Sequence, residues 1–306
     1  MSFLSILLAL LIEQARPLAP VNRVHGRVRD WLIWAVRHTD TGEIRHGWLT
    51  WATVVGVPLA LSAIVHWALW VSLGWLAALG WNVVVLYWTL GFRQFSHHFT
   101  GIRDALDDGD EAEARKLLAQ WMRIDASDLP RSEIVRQVIA HSVLSAHRHV
   151  FGVFAWYSLL SAFGLGPAGA VLYRLAEYFS VVVQRTPTPT SVLLSSTLRR
   201  TVNQAWNLMD WIPSRITALG FAFVGSFEDA IDRWRKYELV RPGDNDGIVL
   251  AATSGALNVQ LAPDDLLGGA PVAQTAHLRA VVGLVWRTVV MWMVILALLS
   301  LARLLG

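Results

Sequence analysis

The chain has 306 residues, is 54% hydrophobic with a mean hydropathy of +0.43, and carries a net charge of only +3. It has no cysteine, which excludes disulfides, thiolate metal centres and a cysteine nucleophile. Its 26 basic residues flank apolar runs, so they read as topology signals and lipid-surface contacts rather than as a nucleic-acid patch.

Taken in order, Ser2–Ile12 is apolar but short for a crossing, and Glu13 ends it. It lacks the basic leader of a secretory signal and reads as a short uncleaved anchor or an interfacial helix. Residues 14–47 are Arg-rich and amphipathic in places, as expected of a cytoplasmic surface helix. Trp48–Phe92 then runs for 45 residues without Asp, Glu, Lys or Arg. About 20 apolar residues cross a bilayer, so this stretch predicts a transmembrane hairpin (48–92) turning near Ser72–Gly74. Arg16, Arg23, Arg27, Arg29, Arg37 and Arg45 precede it; Arg93, Arg103, Arg115 and Lys116 follow it. The positive-inside rule then sets both ends in the cytoplasm. The competing reading is a very hydrophobic soluble helical core, which usually needs a polar face.

Residues 93–149 read as a cytoplasmic helical segment, with one helix over Asp104–Trp121, acidic first and basic later. Ser132 and Glu133 open the next helix after Pro130, running into a second apolar segment (150–183) interrupted at Gly164–Gly169. Arg174 and Glu177 are spaced to pair. Arg185–Thr190 is a Pro-rich loop, and 203–225 is a helix passing from polar to apolar. Residues 226–279 are assigned as a cytoplasmic loop region. It contains an amphipathic surface helix (Phe227–Tyr237) and a small-residue segment able to approach another backbone closely (Ala251–Leu261). Residues 281–301 read as the last spanning helix. The whole is expected to be all-α, a single polytopic integral membrane bundle over 1–306 with four to six membrane helices and cytoplasmic amphipathic helices.

Two constellations carry candidate chemistry. His141, Ser145, Arg148 and Gly152 step by four, three and four, keeping one helical face. Arg148 can clamp a phosphate or carboxylate through its planar fork, or can snorkel to lipid headgroups. Asn203, Asn207 and Asp210 form a second stripe leading into Trp211-Ile212-Pro213-Ser214-Arg215. Asp210 is placed to pair with Arg215 across a bend at Pro213, either for function or to cap the next helix. His141, His147 and His149 lack metal-ligand spacing, and no metal site is assigned.

Asp210–Ala218 (DWIPSRITA) and Gly243–Leu261 (GDNDGIVLAATSGALNVQL) resemble motifs of the CobD/CbiB family of cobalamin-biosynthesis membrane proteins. Arg123 with Asp125, and Gly164–Arg174 (GLGPAGAVLYR), resemble further segments of that family in the same order. The resemblance implies a multi-pass bacterial inner-membrane protein with its main loops cytoplasmic. It implies synthesis of an amide between adenosylcobyric acid and an aminopropanol or its phosphate, with ATP and Mg²⁺ as cofactors if that activity is retained. The family's acidic positions read His147, Arg148 and Phe151 here, a further acidic pair reads Trp206-Asn207, and Asp210 stands for an asparagine. Catalytic residues are therefore not assigned. The implied substrate-binding residues are Arg148, His141, Asn207, Asp210, Arg215, Asn245 and Asp246, with the lipid bilayer and a corrinoid as partners. Leu11-Ile12-Glu13, Arg148 and Trp156 are also similar to the related AmpE group, implying instead a non-enzymatic membrane modulator of β-lactamase induction or cell-wall stress.

Overall fold

The computed structural model describes residues 2–16, 23–91, 96–185, 194–261 and 270–305. All the regular structure among those residues is helical, with no strand. In chain order the helices are α1 (Ser2–Ala15), α2 (Arg23–Thr39), α3 (Ile44–Trp51), α4 (Val57–Leu73), α5 (Trp75–Thr89), α6 (Ser96–Asp107) and α7 (Glu111–Met122). There follow α8 (Arg131–Ala146), α9 (Gly152–Ala162), α10 (Ala168–Arg185), α11 (Ser196–Val224), α12 (Phe227–Val240), α13 (Asn245–Leu257) and α14 (Thr275–Leu305). Two π-turns, Ala52–Gly56 and His147–Phe151, are set between α3 and α4 and between α8 and α9. The Pro-rich stretch at 186–190 lies outside the described residues, as does most of the loop that begins at 262.

The chain divides into two compact units, each made from two stretches of sequence: 1–91 with 152–212, and 92–151 with 213–306. In the first, α1 and α4 pack on α5, while α10 packs on α9, α4 and α5. Its core joins Leu32 and Val36 of α2, Val54 and Val55 of the first π-turn, Phe179 and Val183 of α10, and Leu198 and Val202 of α11. The chain reverses at Gly74, whose φ of +82° suits a residue without Cβ. Arg174 and Glu177 pair at 3.0 Å.

Ile44–Leu73 and Thr275–Ala302 are long and apolar enough to cross a membrane. A soluble core helix of that composition would be buried in protein, yet only 22% and 33% of the residues in their apolar windows are. Leu61, Ile64, Trp67 and Val71 on α4, and Val290, Val294 and Leu298 on α14, remain exposed. The other apolar helices of the hydrophobic early region, α1 and α5, are shorter.

Pro213 lies inside α11, which runs on through it rather than ending there. Proline has no N–H for the carbonyl four residues back, which is that of Met209. The indole N–H of Trp156 donates to that carbonyl at 3.0 Å, supplying the missing donor. Trp156→Phe is expected to cost about 1–3 kcal/mol, the penalty for stranding a desolvated acceptor. Thermal unfolding in detergent, followed by circular dichroism, would register a lowered midpoint, whereas Trp67→Phe, an exposed indole on α4, would leave it in place.

In the second unit the single helix expected over Asp104–Trp121 is two, α6 and α7. Gly109 adopts φ +80°, and Asp110 caps α7 by accepting from the Glu113 amide at 2.9 Å. Those local terms outweigh the favourable charge order that suggested one helix. The region 226–279, assigned as a cytoplasmic loop region with a surface helix at Phe227–Tyr237, contains that helix as α12 and, where no helix was assigned, α13. The two pack closely on each other. Their core is Ala218, Tyr237, Ile248, Ala251 and Ala252, with Trp234 against it. The small residues of α13 explain the correction: without bulk they let it lie directly on α12. Arg136 fixes the end of this region, pairing with Glu133 at 2.5 Å and donating to the Leu261 carbonyl at 2.8 Å.

Candidate functional site

Within the second unit, side chains from the second π-turn, α11, α12 and α13 converge at the start of α13. The turn before it leaves Asp244 as N-cap, accepting from the Gly247 amide at 3.0 Å. Tyr237 of α12 donates its hydroxyl to the other Asp244 oxygen at 2.6 Å. Burial, reinforced by the Asp244 carboxylate, pushes the Tyr237 phenol up to about 12.

The next two residues each hold an arginine. Arg215 of α11 donates to Asn245 Oδ1 at 3.1 Å and to Glu238 Oε1 at 2.6 Å. Trp234 donates its indole N–H to the second Glu238 oxygen at 3.0 Å. Arg148 of the π-turn forms an ion pair with Asp246. A π-turn admits one extra residue relative to an α-turn, so it alters the register in which Arg148 follows α8. Beside it, His147 and Thr217, both fully buried, share a hydrogen bond of 2.9 Å.

Two guanidinium forks therefore meet adjacent residues at a helix N-terminus, where backbone N–H groups already favour negative charge. The Arg215 side chain is 14% exposed and that of Arg148 26%, while Glu238 and Asp246 are more open, so a dissolved anion can compete for both forks. The carboxylates are committed to hydrogen bonds and ion pairs. Among the described residues no three His, Asp or Glu side chains are grouped as metal ligands. The donor set fits a phosphate or carboxylate group and does not fit a divalent cation.

Of the residues singled out in the sequence, Arg148, Arg215, Asn245 and Asp246 come together here. His141 lies on α8 with its ring edge-on to Trp121, centroids 4.6 Å apart, and Trp121 in turn stacks on His98. Asp210 belongs to the first unit, where it is fully buried and accepts from the Tyr173 hydroxyl at 2.7 Å. Asn207 is exposed on the same helix. Sequence reasoning missed Glu238, Tyr237, Asp244 and Thr217. The spacing of Trp234, Tyr237 and Glu238 at i, i+3 and i+4 marks one face of α12, and Asp244 three residues before Gly247 is an N-cap signal.

The Tyr237 hydroxyl supplies a pH-dependent test. Its folded value near 12 lies above that of an unfolded tyrosine near 10, so its contribution is complete below about pH 10 and is lost as pH rises through 12. Tyr237→Phe is expected to lower stability by about 1 kcal/mol at neutral pH. It should also flatten the alkaline limb of a thermal-midpoint against pH curve.

The CobD/Cbib protein family matches residues 3–183. Among curated relatives, the cobalamin biosynthesis protein CobD of Stutzerimonas stutzeri is 27% identical over 319 residues, covering 96% of each chain. That of Chromobacterium violaceum is 27% identical over 185 residues, covering 58% of this chain and 54% of its own. That of Leptospira interrogans is 26% identical over 207 residues, covering 65% and 61%. No solved structure gives a significant match.

Proposed function

This chain belongs to the CobD/CbiB family, and we propose from that footing that it acts in cobalamin biosynthesis at the bacterial inner membrane. The reaction proposed is that of an adenosylcobinamide-phosphate synthase, joining adenosylcobyric acid to an aminopropanol or its phosphate through an amide bond. The observation that carries it is the pair of arginines on Asn245 and Asp246. The reactants bring a carboxylate and, in the phosphorylated form, a phosphate. Either anion can be gripped by a guanidinium fork and by the N-terminus of α13. Arg148 and Arg215 are assigned to that grip, with Asn245 and Glu238 orienting Arg215 and Asp246 holding Arg148 until an anion displaces it. No step is assigned to Mg²⁺, since the carboxylates here are tied to Tyr237, Arg148, Arg215 and Trp234.

Membrane insertion is part of the same reading. It is supported by the two long apolar helices whose surfaces are mostly not covered by protein, and by Arg37 before the first of them and Arg45 in its first turn. The basic amphipathic helix α2 is assigned to the cytoplasmic surface of the bilayer.

The test is complementation. Expressed in a bacterium lacking its cobinamide-phosphate synthase and fed adenosylcobyric acid precursors, the chain is expected to restore cobalamin-dependent growth. Failure to restore growth while the protein is present in the membrane fraction overturns the synthase assignment.

A further inference from the structure

The first unit contains a cavity of about 440 Å³ between α2, α4, α5 and α10, within the roughly 300–1,000 Å³ typical of small-ligand sites. Each helix contributes one stripe, so the walls are set by helical periodicity: Leu61, Ser62 and Val65 on α4, for example, face Trp81 and Trp88 on α5. Leu61 is 61% exposed and Trp88 47%, so the slot opens at the side of the unit.

Three features define what fits. First, the wall is hydrocarbon and indole, and none of the lining residues is acidic. Second, the two lining cations differ: Arg174 is held by Glu177 at 3.0 Å, whereas Arg27 is exposed on α2 at the edge of the slot. Third, Ser62 is only 5% exposed, yet its hydroxyl has no hydrogen-bond partner, although its own backbone carbonyl accepts from the Trp81 indole at 3.2 Å. A serine within a helix ordinarily bonds back to a carbonyl one turn earlier, and a buried hydroxyl left without a partner is costly. Ser62 therefore marks a place where an occupant supplies an acceptor.

An apolar body, an ester-like acceptor and an anionic end describe one class of molecule. We infer that the slot binds an anionic glycerophospholipid, with one acyl chain between α4 and α5, an ester oxygen at Ser62 and the headgroup phosphate at Arg27. A small polar metabolite would waste the hydrocarbon wall, and a peptide would bring backbone groups that the wall does not satisfy. The inference rests on the membrane reading of this chain and is independent of the corrinoid chemistry.

The experiment uses the full chain purified in a non-ionic detergent, exposed to phosphatidylglycerol or to diacylglycerol of identical acyl composition, which lacks the phosphate, and weighed by native mass spectrometry. One phosphatidylglycerol per chain is expected, retained with about tenfold preference, the scale of one charge-assisted hydrogen bond. Arg27→Gln, a surface change, is expected to bring the two lipids to equal retention. Val65→Phe, which fills the slot, is expected to lose both. Equal retention by the unmodified chain, or an undiminished preference in Arg27→Gln, overturns the inference. Displacement of phosphatidylglycerol by inorganic phosphate also overturns it, since the acyl chain would then contribute nothing. Should Val65→Phe fail to fold by circular dichroism, the Arg27→Gln ratio still decides. Loss of the membrane reading itself is seen separately, as a chain that stays monomeric and soluble without detergent.

Discussion

Replacing Arg215 with alanine is expected to reduce synthase turnover in isolated membranes by about ten- to 150-fold, and to leave a folded protein. The range follows from about 1.5–3 kcal/mol for a hydrogen bond to a charged group, at 1.4 kcal/mol per factor of ten. Arg215 is the better anchored of the two arginines: its side chain is 14% exposed, and its fork spans Asn245 on α13 and Glu238 on α12. Its removal also strands Glu238, but that carboxylate is 39% exposed and keeps the Trp234 indole, so solvent offsets most of the stability cost. Arg215→Lys separates charge from geometry. It keeps the positive charge and loses the planar fork, so it should recover only part of the rate. Arg148→Ala is expected to act in the same direction, since its partner Asp246 is comparably open. Wild-type turnover in Arg215→Ala, with the protein present in the membrane at normal level, would remove these arginines from the reaction.

A large stability effect is expected at Gly255. A Cβ there would sit 2.3 Å from the Asp229 carbonyl oxygen and 2.5 Å from the backbone of Ala230. These are backbone atoms of α12, which cannot swing aside as a side chain would. Gly225 is under similar pressure from Ala256, and the Ser226 amide donates to the Ala256 carbonyl at 3.3 Å, tying the same crossing. Gly255→Ala must push α12 away from α13, at a cost of about 3 kcal/mol, the upper part of the overpacking range. That displacement would carry Tyr237 and Glu238 with it, so activity should fall alongside the thermal midpoint. Gly283→Ala in α14 is the control: nothing lies within 4 Å of its Cβ, and the change should be neutral or slightly stabilising. Equal midpoints for the two variants would refute the close-packed crossing.

Much of this was legible in the sequence because it depends on local rules. The run from Trp48 to Phe92 without Asp, Glu, Lys or Arg announced apolar helices, and Gly74 their reversal. The small residues between Ala251 and Leu261 announced a segment that another backbone approaches closely, though not that it is helical. Of the motif residues, Arg215 meets Asn245 and Arg148 meets Asp246, side by side at the start of α13. What was not legible depends on contacts distant in sequence. Glu238 and Asn245 reach Arg215 across 23 and 30 positions, and no spacing rule pairs them. Pro213 reads as a break in any window, and remains helical because an indole 53 positions before Met209 supplies the missing donor. The separation of α6 from α7 was a matter of weighing, since one glycine with positive φ and one aspartate cap outweighed a favourable order of charges.

The interleaving of the two units has a consequence for synthesis. The first is unfinished until residue 212 has left the ribosome, by which point 92–151, about two-fifths of the second, has already emerged. A nascent chain of this kind cannot complete its N-terminal half and then move on, as tandem domains do. For a time both halves exist together as incomplete pieces, so the early segments need a host, such as a translocon or the bilayer itself, to shelter them until their late partners arrive.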